Sequence, residues 1–362
     1  MSQVKRILIS KDPFLANKST LWQEKGFWPA SWISHPNKLA KPFVTAYKLD
    51  FKLVKDSEFN IHVTADERYE LFLDGKRIGR GSERGDADNW FFETYQLNLK
   101  KGKHLIVAKV WSLGDKAPMA QMSVEAGFLL AAEAEFEELI STGFANWQVM
   151  ELKGFDFQIP PATFWRGARL SLDAKQYAWG FENGKGNWQT AKVGKRASNK
   201  VIAYVWYKVH RLVAATLPAM LAKKIGDISA KYIDDAKISN SKEVKIDFQN
   251  NATDKLDSWQ NLLDGKQKIT IAANSSQRII LDMNDYYCLF YELSVSKGKN
   301  AKVQIHSAES LYTDTKFVEK GHRDQLENKY FNGVGDDFVC DGGNLRRLEP
   351  IQFQAGRYWQ IQ

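Results

Sequence analysis

Apolar and polar residues alternate along much of this chain. Phe43-Val-Thr-Ala-Tyr-Lys-Leu-Asp-Phe51 and Phe59-Asn-Ile-His-Val63 repeat with a period close to two, the pattern of a half-buried strand. Glu70-Leu-Phe-Leu73 runs into Asp74-Gly75 and then Lys76-Arg-Ile-Gly79, which reads as a hairpin with a two-residue turn. His104 to Trp111 follows the turn-like Lys100-Lys-Gly-Lys103. The second half predicts strands at Lys268–Ala272, Gln277–Asp282, Phe290–Val295 and Ala301–His306, with a turn at Lys297–Asn300 between the last two. Short strands at close spacing, without periodic helices between them, predict an all-β chain of β-sandwiches.

Helical patterns are few. Leu129 to Ile140 has strong helix formers and apolar residues at Phe136, Leu139 and Ile140, although an edge strand is the rival reading. Leu217 to Ile225 reads as a short helix or a linker, and residues 240–266 read as a long polar loop. A Trp-rich stretch ends in Tyr204 to Leu212, and polar sequence follows it. This places one boundary near residue 216: an N-terminal extension 1–26, a first sandwich 27–216 and a second 217–362.

Composition narrows the classes. With 44% hydrophobic and 26% charged residues, wholesale disorder is excluded. Twelve Trp residues supply a large core and leave rings for a ligand. No apolar run approaches the roughly 18 residues of a membrane helix; the longest, Val213 to Ala222, contains Pro218 and meets Lys223. The start has too few apolar residues before Lys11 and Asp12 for an export signal. The location expected is cytoplasmic as written, and periplasmic if translation starts elsewhere. The +8 charge is scattered, without a basic run of five, so no nucleic-acid partner is expected. Cys288 and Cys340 are the only cysteines and form no CxxC. One disulfide is arithmetically open, and two free thiols are the preferred reading.

Glycoside hydrolysis needs two carboxylates. Candidates are Asp86 with Asp88, Asp336 with Asp337 and Asp341, and Glu309. Each lies in or beside a turn-rich stretch, where Asp also caps its own backbone. Asp86, Asp88, Asn89 and Glu93 make an oxygen-rich group without EF-hand spacing, so a solvated loop is preferred over calcium. There is no HExxH and no GxSxG. Gly79-Arg-Gly81 is not followed by a helix pattern, so no nucleotide loop is read. His62 and His306 fall in strands and read as packed or exposed strand residues. No metal or cofactor is expected. Asn89-Trp-Phe-Phe92, after Glu83-Arg-Gly-Asp86, is the segment best suited to a sugar: a ring to stack on, with charged groups for hydroxyls. Alternation turns one of Trp90 and Phe91 inward.

Several of these segments, taken in order, resemble bacterial α-L-rhamnosidases of glycoside hydrolase family 78. They are Val63-Thr-Ala-Asp-Glu-Arg-Tyr through Gly81, Arg84-Gly-Asp86 with Trp90 and Thr94-Tyr95, Ala117-Pro-Met-Ala-Gln121, Gly127-Phe-Leu-Leu130 and Trp206 to Pro218. Ala308-Glu-Ser-Leu-Tyr312, Lys320-Gly-His-Arg323, Asp341-Gly-Gly343, Leu348-Glu-Pro350 and Gly356-Arg-Tyr-Trp359 continue the series. The resemblance covers roughly residues 27–362 and implies two jelly-roll-like β-sandwiches in tandem, with strand rather than helix at Leu129–Ile140. In that family an (α/α)6 barrel follows and carries the catalytic carboxylates. Its motif, Asp-x-Cys-Pro-x-Arg-x-Glu-Arg, is missing here, so no catalytic residue carries over. The expectation is the non-catalytic, truncated N-terminal part of such a hydrolase, inactive alone. Its partners would be a rhamnose-containing glycan and a barrel from the same gene or another chain. Arg84, Asp86 and Trp90 are the expected sugar contacts. A stand-alone carbohydrate-binding protein and a ligand-free structural product are the alternatives.

Overall fold

The computed structural model describes residues 3–17, 26–86, 88–159, 167–199, 210–235 and 244–362. Strands hold 46% of the described residues and helices 8%, so the all-β class is met. The chain divides into two units. The first comprises Met1–Phe155, Pro161–Ala168 and Ala178–Leu221; the second comprises Asp156–Pro160, Arg169–Tyr177 and Ala222–Gln362.

The first unit is a two-sheet sandwich. One sheet runs Gln3–Ile7, Trp90–Leu99, Ser57–Ala65, Phe128–Ala132, Phe27–Ser34 and Lys192–Ser198, with Leu212–Ala214 added parallel to Trp90–Leu99. The other runs Gln189–Thr190, Gln148–Glu151, Phe43–Leu53, Gly102–Ser112, Arg68–Leu73 and Lys76–Gly81. Alternation builds the core between them. Tyr47, Leu49 and Phe51 from one sheet meet Ile61, Val63, Leu97 and Phe128 from the other in a single buried cluster. Each such side chain contributes about 1.5–3 kcal/mol by leaving water.

The Asp74-Gly75 turn closes the predicted hairpin, with φ of 50° and 77°. Both residues must be left-handed in this turn type, which is why Asp and Gly stand there. Gly79-Arg-Gly81 is explained by aromatic packing rather than by phosphate. A Cβ on Gly79 would sit 2.1 Å from the Tyr95 hydroxyl, and one on Gly81 would meet the Tyr69 ring at 2.5 Å.

The second unit centres on one seven-stranded sheet: Phe155–Gln158, Arg169–Asp173, Val334–Val339, Lys302–Ala308, Gln354–Ile361, Arg278–Leu289 and Ser229–Asp234. Adjacent residues point to opposite faces. Tyr358 joins a core with Ile280, Ile246 and Phe331, while Trp359 packs against the Tyr291 ring, 6.0 Å away. Val244–Lys245 pairs with Tyr330–Phe331, and Leu293–Val295 pairs with Arg346–Leu348.

Some expectations need correction. Residues 156–160 and 169–177, read as part of the first sandwich, belong to the second unit. Within 1–26, Gln3–Ile7 pairs with Trp90–Leu99 and so is an edge strand of the first sheet. Leu129–Ile140 is split: Phe128–Ala132 is strand, and Ala134–Phe136 and Glu137–Ile140 are short helical turns. Lys268–Ala272 alternates but joins no sheet, and Ile271 is exposed. Leu217–Ile225 is an irregular linker. The polar stretch 240–266 contains a helix, Thr253–Leu263, which buries Trp259. Gln260 fastens that helix to its neighbour, accepting from the Ala230 N–H at 3.0 Å and donating to the Ile228 carbonyl at 2.9 Å. Residues 204–209 and 240–243 of the segments read above lie outside the described residues. Both cysteines are free, Cys288 exposed and Cys340 buried.

Candidate functional site

The three expected sugar contacts lie close together in sequence but in different surroundings. Arg84 is exposed. Asp86 is exposed too, and its carboxylate closes a turn: Oδ1 accepts from the N–H groups of Asp88 and Asn89, both at 2.9 Å, and from Asn89 Nδ2 at 3.1 Å. This is the backbone-capping role of a turn Asp.

Trp90 corrects its assignment as a stacking platform. It is 5% exposed, its Nε1 donates to the Ala65 carbonyl at 3.0 Å, and its ring meets the His210 imidazole edge-on at 4.4 Å. Alternation required one ring of the Trp90–Phe91 pair to face in, and the strand's phase turned Trp90 into the core. A ring so enclosed has no face for a sugar.

Around this corner the remaining acids are committed. Glu93, placed with Asp86 in the oxygen-rich group, is buried against the Arg6 guanidinium and accepts from the Glu83 N–H. Glu83 accepts from Thr216 N at 2.7 Å, Thr216 Oγ1 at 2.9 Å and Leu217 N at 3.0 Å. Asp86 and Glu93 therefore serve separate structural ends. Among the described residues no group of three or more His, Cys, Asp or Glu is arranged to hold a metal ion.

Beneath the corner lies a polar hub that the sequence reading missed. Asp66 is fully buried and accepts from Ser123 Oγ, from the N–H groups of Val124 and Glu125 at 2.8 and 2.9 Å, and from His210 Nε2 at 2.8 Å. Burial alone would raise its pKa; the His210 hydrogen bond and charge, with Ser123 and Val124, hold it below the usual carboxylate range. Glu67 accepts from Leu113 N and Gly114 N, and for it burial wins, pushing the carboxyl up. A carboxylate has about four lone-pair sites, and four donors already address Asp66. The hub therefore pins loops together and has little capacity to hold a substrate. The visible signal was Asp66-Glu67, two acids between apolar strands; nothing marked His210, 144 residues away.

In the second unit, Asp336 and Asp337 are strand neighbours and turn to opposite faces. Asp336 is buried, taking the Tyr291 hydroxyl at 2.6 Å and Leu170 N at 2.9 Å. Asp337 takes His306 Nε2 at 3.0 Å. Asp341 is engaged by Arg346, Nη2 at 2.6 Å and Nε at 2.9 Å, and Glu309 pairs with Lys320 at 3.0 Å. His62 is a packed strand residue between Thr94 and Glu133. The geometry assembles no acid/base pair from the expected carboxylates.

No family model matches the chain, and no curated protein matches it in sequence. Solved structures do. The α-L-rhamnosidase from Dictyoglumus thermophilum has a TM-score of 0.54 at 14% identity, over 92% of this chain and 34% of that one. The native enzyme from Aspergillus terreus gives 0.52 at 13%, over 92% and 34%. The GH78 family rhamnosidase of Bacillus sp. GL1 gives 0.50 at 16%, over 92% and 33%. The chain thus spans about a third of the length of these structures. At such identities the likeness is one of fold, and the resemblance read from the sequence is met at that level: the chain has the β architecture found in a third of these rhamnosidases.

Proposed function

We propose that this chain is a non-catalytic β-domain portion of an α-L-rhamnosidase-like glycoside hydrolase. The observation that carries the reading is the fold likeness over 92% of this chain to about a third of each rhamnosidase. In the parent enzyme an inverting acid/base pair would remove terminal α-L-rhamnose, one carboxyl group protonating the leaving oxygen while the other activates water. The carboxylates described above are occupied in turns, ion pairs and buried hubs, which fits a supporting role. The test is an assay of the purified 362-residue chain on p-nitrophenyl α-L-rhamnoside, with the DNA beyond codon 362 read in all frames. No release of nitrophenol and a barrel-coding region downstream are the expected results. Turnover by the pure chain, or unrelated DNA there, would sink the proposal.

A stand-alone carbohydrate-binding protein is the second reading. Arg84 favours it, because this exposed guanidinium has no carboxylate partner among the described residues. Arg68 stands near enough that burial, and then the Arg84 charge, lower its pKa. Calorimetry with rhamnose-containing oligosaccharides decides: binding that weakens in Arg84→Ala supports this reading, and binding indifferent to that change removes it.

A further inference from the structure

The first unit holds an open cavity where two of its strands end. Gln3–Ile7 pairs with Trp90–Leu99 as far as Thr94, and Leu212–Ala214 lies along Trp90–Phe92. The chain past each of these strands borders a cavity of about 540 Å³, together with Asn199 and Arg211. Small-molecule sites run from about 300 to 1,000 Å³. The rim is reachable from solvent: Leu8 is 51% exposed, and Ser10, Arg211 and Thr216 are exposed as well.

Much of the lining is aliphatic. Leu8, Ile9, Val213 and Ala214 contribute to it, and Ile9 and Ala214 are anchored by packing on the buried cluster of Trp28, Phe92 and Leu212. Among the described residues no aromatic ring lines the cavity. The two charged groups differ in how far they are engaged. Asp12 is committed: Oδ1 accepts from Phe14 N at 2.7 Å and Oδ2 from Trp28 Nε1 at 3.0 Å. Arg211 is steadied by one long bond, from Nε to the Asn199 carbonyl at 3.4 Å, and among the described residues it has no carboxylate partner. Its terminal nitrogens present a planar fork of N–H donors at the rim.

We propose that this cavity binds a small carboxylic acid as its anion, the apolar body against the aliphatic lining and the carboxylate on Arg211. A guanidinium fork matches a carboxylate with two parallel hydrogen bonds. The body gains by leaving water for Leu8 and Val213. The Asp12 charge is met by two N–H donors, which limits its repulsion of the ligand. Other ligand classes fit less well. A sugar finds no ring to stack on, and an ammonium is repelled by Arg211. An uncharged apolar molecule would cover the guanidinium without pairing it, which is costly. An inorganic anion gains nothing from the aliphatic side chains. The inference stands on this cavity and does not need the chain to be part of a hydrolase or to bind rhamnose.

The experiment is calorimetry and NMR titration of the full 362-residue chain with acetate, hexanoate, hexanol and hexylamine. Saturable millimolar binding of hexanoate is expected, with affinity rising about two- to four-fold per methylene from acetate upward. Hexanol should bind at least about ten-fold more weakly, and hexylamine not at all. Arg211→Gln should weaken hexanoate by about ten-fold or more, the worth of a hydrogen bond to a charged group. Leu8→Ser, at an exposed position, should weaken hexanoate several-fold and leave acetate unchanged, and it reads the same site if Arg211→Gln does not fold. Lys52→Ala removes an exposed cation from Phe43–Leu53, in the other sheet, and should change nothing. The proposal is overturned by a folded chain that does not bind hexanoate, by hexanol or hexylamine binding as well as hexanoate, by affinity indifferent to the length of the acid, by affinity indifferent to both Arg211→Gln and Leu8→Ser, or by an equal loss in Lys52→Ala.

Discussion

Glu70 in the first unit and Asp336 in the second are both carboxyl groups 1% exposed, yet they titrate at opposite ends of the acidic range. Burial pushes both upward. For Glu70 the charges of Lys109, Arg77 and Arg80 more than reverse this, bringing its pKa down to about 2. Arg77 Nη1 and Arg80 Nε stand 2.9 and 3.0 Å from its Oε1, and Lys109 Nζ stands 3.5 Å from Oε2. Among the described residues no Lys or Arg pairs with Asp336, and the His306 charge is a lesser influence. The Tyr291 hydroxyl and Leu170 N–H only partly offset burial, and the pKa is pushed up to about 6. The depth of a carboxyl group therefore says little about its charge; its neighbours decide.

The largest effect expected from this contrast is that of Glu70→Leu. It leaves Lys109, itself 5% exposed, without its carboxylate, and unpairing a buried charge costs about 3–5 kcal/mol. Denaturant titration measures it; a loss below about 1 kcal/mol would mean that the cations find water, and the contrast would lose its basis. Next comes pH. The Glu70 pKa lies below its ordinary 4.5, so its stabilisation is present above that value and is lost as the pH falls toward about 2. The Asp336 pKa lies above its ordinary 3.8, so its contribution is present below that value and is lost as the pH rises through about 6. Asp336→Asn should therefore raise stability at neutral pH by about 1–2 kcal/mol and remove part of the pH slope between those two values. An unchanged slope would count against Asp336 as its source. The smallest effect belongs to Arg84→Ala, exposed and without a carboxylate partner among the described residues, within about 0.5 kcal/mol of the parent in thermal unfolding. A larger loss would show that Arg84 has a structural role like that of Arg6.

The strands at Phe43–Leu53 and Gly102–Ser112 and the Asp74-Gly75 turn were legible because local chemistry dictates them. The helix Thr253–Leu263 was also written locally, in Leu256, Trp259 and Leu263 at helical spacing, but abundant Asp, Lys and Gln hid it. The depth of Trp90 was half legible: alternation demands that one neighbour of a pair face in, but not which one. Two features had no local signal at all. His210 finds Asp66 only because a sandwich brings distant loop ends together. Arg169–Asp173 joins the second unit by parallel pairing with Val334–Val339, a contact that no period in either segment encodes.

That parallel pairing has a consequence during synthesis. Leu170 donates to Asp336 across 166 positions of chain, and the sheet also needs the last strand, Gln354–Ile361. Chains emerge from the ribosome N-terminus first, at about 5–20 residues per second. The first unit has its last segment by Leu221, whereas Arg169–Asp173, which pairs with Phe155–Gln158 on one side, waits through most of the remaining translation with the edge that meets Val334–Val339 unpaired. Unpaired edges recruit other strands, so this edge is a point of misassociation in the nascent chain. Slowing translation after Leu221 should lower soluble yield more than slowing it before Phe155.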